Sequence, residues 1–136
     1  MNFLRFSDKK EVIRLKGAKP DKTYRALAEF ERGIENIGSI RKIIGIIKQQ
    51  TPKRVLHRRA DKIRSRRVKS IKWKRIKNNI YEFVIKAEAG LYVKELITGD
   101  NGRTKPSVSG ILKNSSKIKE LDVIKIHLKA RQNTYI

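Results

Sequence analysis

Two apolar runs separated by a pair of asparagines place the tightest constraint on how this chain folds. Val68-Lys-Ser-Ile-Lys-Trp-Lys-Arg-Ile76 alternates imperfectly between apolar and polar side chains, and the run from Ile80 to Ala87 alternates fairly. Asn78-Asn79 lies between them, and asparagine tolerates the left-handed backbone that a tight turn demands. The spacing predicts a β-hairpin.

Other elements arrange themselves around that hairpin. Phe3 to Phe6 reads as a short strand. Ser7 or Asp8 then caps a helix that ends at Gly17, with Glu11 three residues after Asp8 and Arg14 and Lys16 near the far end. Thr23 to Phe30 is strand-like. Apolar residues at 34, 37, 40, 43, 44 and 47 have helical spacing, which Gly38 and Gly45 weaken. Gly90 to Asp100 reads as a strand end running into a short helix, Asp100-Asn-Gly102 as a turn, and Pro106 to Leu112 as a further short helix. Leu121 to Leu128 is a final strand, and Lys129 to Ile136 a polar tail. Helices and strands are mixed without a regular βαβ repeat, which predicts an α+β fold in one domain.

Charge decides the class of partner. Lys plus Arg number 35 against 13 Asp plus Glu, a formal charge of +22. Such a density repels itself, and a polyanion relieves the repulsion. Nucleic acid is the first candidate and an anionic membrane surface the second. The most apolar window, residues 40–47, is short and carries Arg41 and Lys42. A spanning helix needs about 20 apolar residues. Charge follows Met1-Asn-Phe-Leu-Arg where a signal peptide would have its apolar core. The chain has no Cys, and His57 and His127 are far apart without ligand spacing. The expectation is a cytosolic protein with no membrane segment and no metal.

Residues 53–77 are the basic centre, with Asp61 the only acid among them. A charge run is usually a solvated face, but this density favours phosphate contact. Arg54, Arg58, Arg59, Arg64, Arg66 and Arg67 dominate it, and a guanidinium fork matches phosphate oxygens. His57 is read as a phosphate or base contact and not as a general base. Phosphate contacts supply affinity and little sequence information. Tyr24 sits near Lys22 and Arg25, and Tyr92 lies two residues before Lys94. A strand tyrosine packs into a core about as readily as it stacks on a base. The flanking cations tilt Tyr24 toward stacking. The loop Gly102-Arg-Thr-Lys-Pro106 brings Arg103 and Lys105, and is either a plain turn or a phosphate grip.

Four segments then look familiar: Lys22-Thr-Tyr-Arg-Ala-Leu27; residues 50–61, Gln-Thr-Pro-Lys-Arg-Val-Leu-His-Arg-Arg-Ala-Asp; residues 90–107, Gly-Leu-Tyr-Val-Lys-Glu-Leu-Ile-Thr-Gly-Asp-Asn-Gly-Arg-Thr-Lys-Pro-Ser; and Glu120-Leu-Asp-Val123. In that order they resemble the C-terminal half of the catalytic domain of the archaeal and eukaryotic tRNA pseudouridine synthases that act on T-loop uridines 54 and 55. The long third segment is the most specific.

The resemblance implies that residues 1–136 form part of an α+β catalytic domain around a mixed, mainly antiparallel sheet. In that family an Asp nucleophile detaches uracil from its ribose, the base rotates, and it is rejoined through carbon. No cofactor is needed. By similarity Tyr24 stacks on the flipped base, Tyr92 contacts the substrate, and Lys94 pairs with the catalytic carboxylate and keeps it ionised. Leu96 or Ile97 would pack beneath. The family's nucleophilic Asp lies several dozen residues upstream of the tyrosine motif, where this sequence has no counterpart. Asp8 and Asp21 do not sit in sequence like the nucleophile's, and the family's cysteine-rich N-terminal region has no match either.

The leading expectation is therefore the uridine-pocket and tRNA-binding half of a split enzyme, with the catalytic Asp on a second chain. The alternatives are an enzyme relic that binds tRNA without modifying it, and a ribosome-associated basic protein.

Overall fold

The expected hairpin lies inside a six-stranded sheet in the computed structural model, which describes residues 19–128. The strand and helix expected between Phe3 and Gly17, and the tail from Lys129, lie outside the described residues. In chain order the elements are β1 (Asp21–Phe30), a 3-10 helix (Ile37–Ile43), β2 (Gly45–Gln50), β3 (Ile63–Lys77), β4 (Ile80–Ala87), α1 (Val93–Thr98), β5 (Thr104–Lys105), α2 (Val108–Leu112) and β6 (Ser116–His127). Their order across the sheet is β5-β2-β3-β4-β1-β6. Every pairing among the described residues is antiparallel, so the α+β expectation is met by a wholly antiparallel sheet here. None of the described helices is long and apolar enough to cross a membrane.

Alternation builds the core on one face. Ala26, Ala28 and Phe30 of β1 face the same side as Tyr81, Phe83, Ile85 and Ala87 of β4. Val68 and Ile71 of β3 and Ile47 of β2 continue that layer. Ile40 and Ile43 of the 3-10 helix, Val93, Leu96 and Ile97 of α1, and Val108 of α2 cover it. Phe83 is fully buried and meets Phe30 edge-on, with ring centroids 6.1 Å apart. Truncating such a ring to alanine costs about 3–5 kcal/mol.

Three expected boundaries shift. The helical spacing from Ile34 to Ile47 yields a 3-10 helix that stops at Ile43, followed by a strand. Gly45 has φ of 130°, a conformation that ends the helix and that other residues rarely adopt. The β-branched pair Ile46-Ile47 beyond it suits an extended chain. β3 begins at Ile63, five residues before the apolar alternation does, because its arginine-rich start pairs with β2 from Gln50 to Gly45. β6 begins at Ser116 and not at Leu121. The turn between β3 and β4 forms as expected, with Asn78 at φ of 47°.

A candidate nucleic-acid interface

Tyr24 lies on the core face of β1, in line with Ala26, and is half-buried at the edge of the apolar layer. That burial raises its phenol pKa above the usual value of 10.0. α1 packs across the same face through Val93, Leu96 and Ile97, so Tyr24, Tyr92 and Lys94 share one side of the sheet. Tyr92 immediately precedes α1 in an extended conformation, and Lys94 is on its exposed side. Among the described residues no carboxylate forms an ion pair with Lys94.

Arg25 faces the other way, because successive strand residues alternate between faces. Its Nε donates to Glu82 Oε2 at 2.6 Å, and its Nη1 donates to Glu120 Oε1 at 3.0 Å and lies 3.6 Å from Asp122 Oδ2. The hydrogen bond it donates to Glu120, then that to Glu82, raises its pKa. The cation that flanks Tyr24 in sequence is thus on the opposite face, among acids. Lys22 shares Tyr24's face.

The chain between β2 and β3 forms a clasped loop. Arg103 donates from Nε and Nη2 to the Thr51 carbonyl at 3.0 and 2.8 Å, and from Nη2 to Asp61 Oδ1 at 2.7 Å. Asp100 Oδ2 accepts from the Lys53 N–H at 3.0 Å. The Thr51 hydroxyl donates to the Ala60 carbonyl at 2.7 Å and accepts from Arg64 Nη1 at 2.9 Å. Val55 anchors the loop in the core. The clasp leaves His57, Arg58 and Arg59 pointing into solvent on a fixed frame, and Arg67 and Lys105 are exposed nearby in the sheet.

The other expected cations have partners in the fold. Arg54 donates from Nε and Nη2 to both oxygens of Glu95, at 2.7 and 3.2 Å, and that pairing raises its pKa. Arg64 and Arg66 are half-buried on the core side of β3, and Arg66 Nε donates to the Ala89 carbonyl at 3.1 Å. Gly90, at φ of 92°, lets Arg66 pass, since a Cβ there would stand 2.7 Å from Arg66 Nε.

β6 forms one border of the sheet. Two bulges put its extra residues, Lys119 and Ile124, out of register with β1. Leu121, Val123 and Ile126 then oppose Ala26, Tyr24 and Lys22 on the core face. The helix α1 approaches β6, yet Val123 stays 52% and Ile126 53% exposed. A cleft of about 920 Å³ lies elsewhere, lined by Arg32, Lys105, Ser107, Lys113 and Asn114, and neither Tyr24 nor Tyr92 lines it.

Reading the sequence missed Gln49, Thr51, Glu95 and Asp100, the polar groups that hold these side chains in place. Glu95 and Asp100 lie in the long third segment, so their presence there was visible while their partners were not.

Comparison with known proteins matches residues 1–127 to the family model described as Pus10, C-terminal. The tRNA pseudouridine synthase Pus10 of Methanosphaera stadtmanae is 45% identical over 132 residues, which make up 94% of this chain and 32% of that protein. The protein of the same name from Methanocaldococcus jannaschii is 47% identical over 128 residues, 91% of this chain and 28% of that one. The chain therefore spans about a third of the length of these relatives. Its fold is similar to a chain of a Cbf5-Nop10-Gar1 complex, with a TM-score of 0.64 at 24% identity, over 85% of this chain and 34% of that one. It is also similar to a chain of an H/ACA RNP bound to a substrate RNA containing 2'-deoxyuridine, with a TM-score of 0.59 at 23% identity, over 85% and 32% of the two chains.

Proposed function

The chain belongs to the Pus10 C-terminal family, and on that premise we propose that it supplies the uridine pocket and RNA-binding surface of a tRNA pseudouridine synthase acting on T-loop uridines 54 and 55. The nucleophilic Asp comes from a second chain. Tyr24 stacks on the flipped uracil, Tyr92 forms a second wall, and Lys94 pairs with the incoming carboxylate. The nucleophile frees the base from its ribose, the base turns within the pocket, and the ribose carbon bonds to carbon in place of nitrogen. Arg58, Arg59, His57 and Lys105 grip phosphates around the flipped nucleotide. The protein works in the cytoplasm, where its tRNA substrate is found.

The observation that carries this reading is the open apolar row of β6 in register with Tyr24. An exposed edge strand with apolar side chains is a site for pairing with another chain. A partner seated on Leu121, Val123 and Ile126 arrives beside Tyr24, where the catalytic carboxylate is required. The test uses the portion of an archaeal relative that this chain does not span, mixed with this chain and followed by sedimentation. A stable one-to-one complex, lost in Val123→Lys, is expected. No association with the wild-type chain would sink the split-enzyme reading.

A second reading has one observation in its favour. The sheet buries Phe83 and the layer around it with its own elements, as a free-standing tRNA-binding module would. Discrete tRNA binding by the chain alone, without any association with the nucleophile-bearing portion, would favour it.

A further inference from the structure

We propose that Gln49, Arg54 and Glu95 are positioning residues that fix the backbone and ring of Tyr92; the inference rests on the functional reading of Tyr92 as a pocket wall. Gln49 is 2% exposed, on the core side of β2. Its Oε1 accepts from the Tyr92 N–H at 2.8 Å, and its Nε2 donates to the Tyr92 carbonyl at 2.9 Å. The same Nε2 lies 3.3 Å from Thr104 Oγ1, itself buried. Tyr92 stands just before α1, where a backbone N–H has no partner within the helix. Gln49 supplies that partner and closes a two-point clamp on one residue.

A buried side-chain amide is a costly way to fill space, since it must be fully hydrogen-bonded to be tolerated. An apolar side chain would pack beside Ile47 without that demand. What the amide adds is alignment of the Tyr92 backbone.

The ring is braced separately. The Arg54 guanidinium carbon lies 5.9 Å from the Tyr92 ring centroid. Both oxygens of Glu95 hold that guanidinium, and the Glu95 side chain is only 5% exposed. Glu95 follows Tyr92 by three residues, so one short segment carries both the ring and the anchor of its brace. Two of the nitrogens of Arg54 are thereby committed to Glu95. Arg54 thus serves the pocket through Tyr92 and not through phosphate.

The test is a double-mutant cycle on tRNA binding by the 136-residue chain. Binding by the wild-type chain is read first, so a failure of the functional reading shows there and not in the cycle. Tyr92→Ala is expected to weaken binding about 5- to 150-fold, the range for loss of a stacked base. Gln49→Leu is expected to weaken it at least fivefold in the wild-type background and not further in Tyr92→Ala, the mark of residues acting as one unit. Should Gln49→Leu fail to fold, the pair Arg54→Met with Glu95→Gln, which leaves no unpaired buried carboxylate, takes its place with the same expectation. In that pair the salt dependence of binding should keep its wild-type slope. Additive losses, unchanged affinity in the cycle's single variant, or a slope reduced by about one phosphate contact would overturn the proposal.

Discussion

Arg103 closes on the carbonyl of Thr51 with two hydrogen bonds, 52 residues apart in sequence, and so ties the turn before β5 to the basic loop after β2. Thr51 is fully buried, and its carbonyl has no water to turn to if Arg103 is lost. Arg103→Met should therefore cost about 1–3 kcal/mol, the penalty of an unsatisfied buried acceptor. Amide hydrogen exchange should rise at Lys53 and Lys62, whose N–H groups bond within the same clasp. Unchanged exchange there would show that the loop holds its shape without Arg103.

The Arg54–Glu95 pair should respond unequally to loss of either partner. Glu95 is buried and Arg54 is close to half exposed. Arg54→Ala strands a buried carboxylate, which costs about 3–5 kcal/mol. Glu95→Gln leaves a guanidinium that water can reach and an amide that still accepts a hydrogen bond, and should cost about 1 kcal/mol. Urea denaturation of the two variants reads the difference directly, and equal losses would contradict the asymmetry.

Much of this fold was legible because its pattern is local. The hairpin of β3 and β4 follows from alternation and two asparagines, and β1 from its β-branched and aromatic run. The segment from Ile34 to Ile47 was not legible, because isoleucine at intervals of three and four satisfies a helix while also placing Ile43 and Ile47 inward beside an extended chain. Only the backbone at Gly45 decides between them. Of the candidate site, the two tyrosines could be picked out from the sequence and the groups that hold Tyr92 could not. Tyr24 and Tyr92 stand in recognisable segments, whereas Gln49 meets Tyr92 from across 43 residues. Arg25 shows the limit most clearly. Adjacency to Tyr24 suggested a shared surface, yet strand geometry puts adjacent residues on opposite faces.

That division among the arginines predicts different salt behaviour. Arg58→Ala and Arg59→Ala should each lower the slope of log affinity for tRNA against log salt by nearly one, as expected for a lost phosphate contact. Arg25→Ala should leave the slope unchanged and lower the thermal midpoint, because Arg25 is engaged by Glu82 and Glu120. A reduced slope in Arg25→Ala would place phosphate on the opposite face of the sheet.

Tyr24 offers a pH signature. Burial raises its phenol pKa above 10.0, so the fold favours the protonated ring. Stability owed to that preference is present below pH 10 and is lost as pH rises through the raised value. The ultraviolet titration of the wild type minus that of Tyr24→Phe should show a phenol with a midpoint above 10. A difference curve centred at or below 10 would mean that the ring is freely solvated.

The most direct measurement is release of tritium from tRNA carrying uridine labelled at carbon 5, since joining the ribose to that carbon expels its hydrogen. The chain alone should release none. Adding the portion of an archaeal relative that this chain does not span should start release at the T-loop uridines, and Tyr24→Ala should abolish it. Release by the chain alone, or none from a complex that forms and binds tRNA, would contradict the assignment of this chain as the uridine-pocket half of the enzyme.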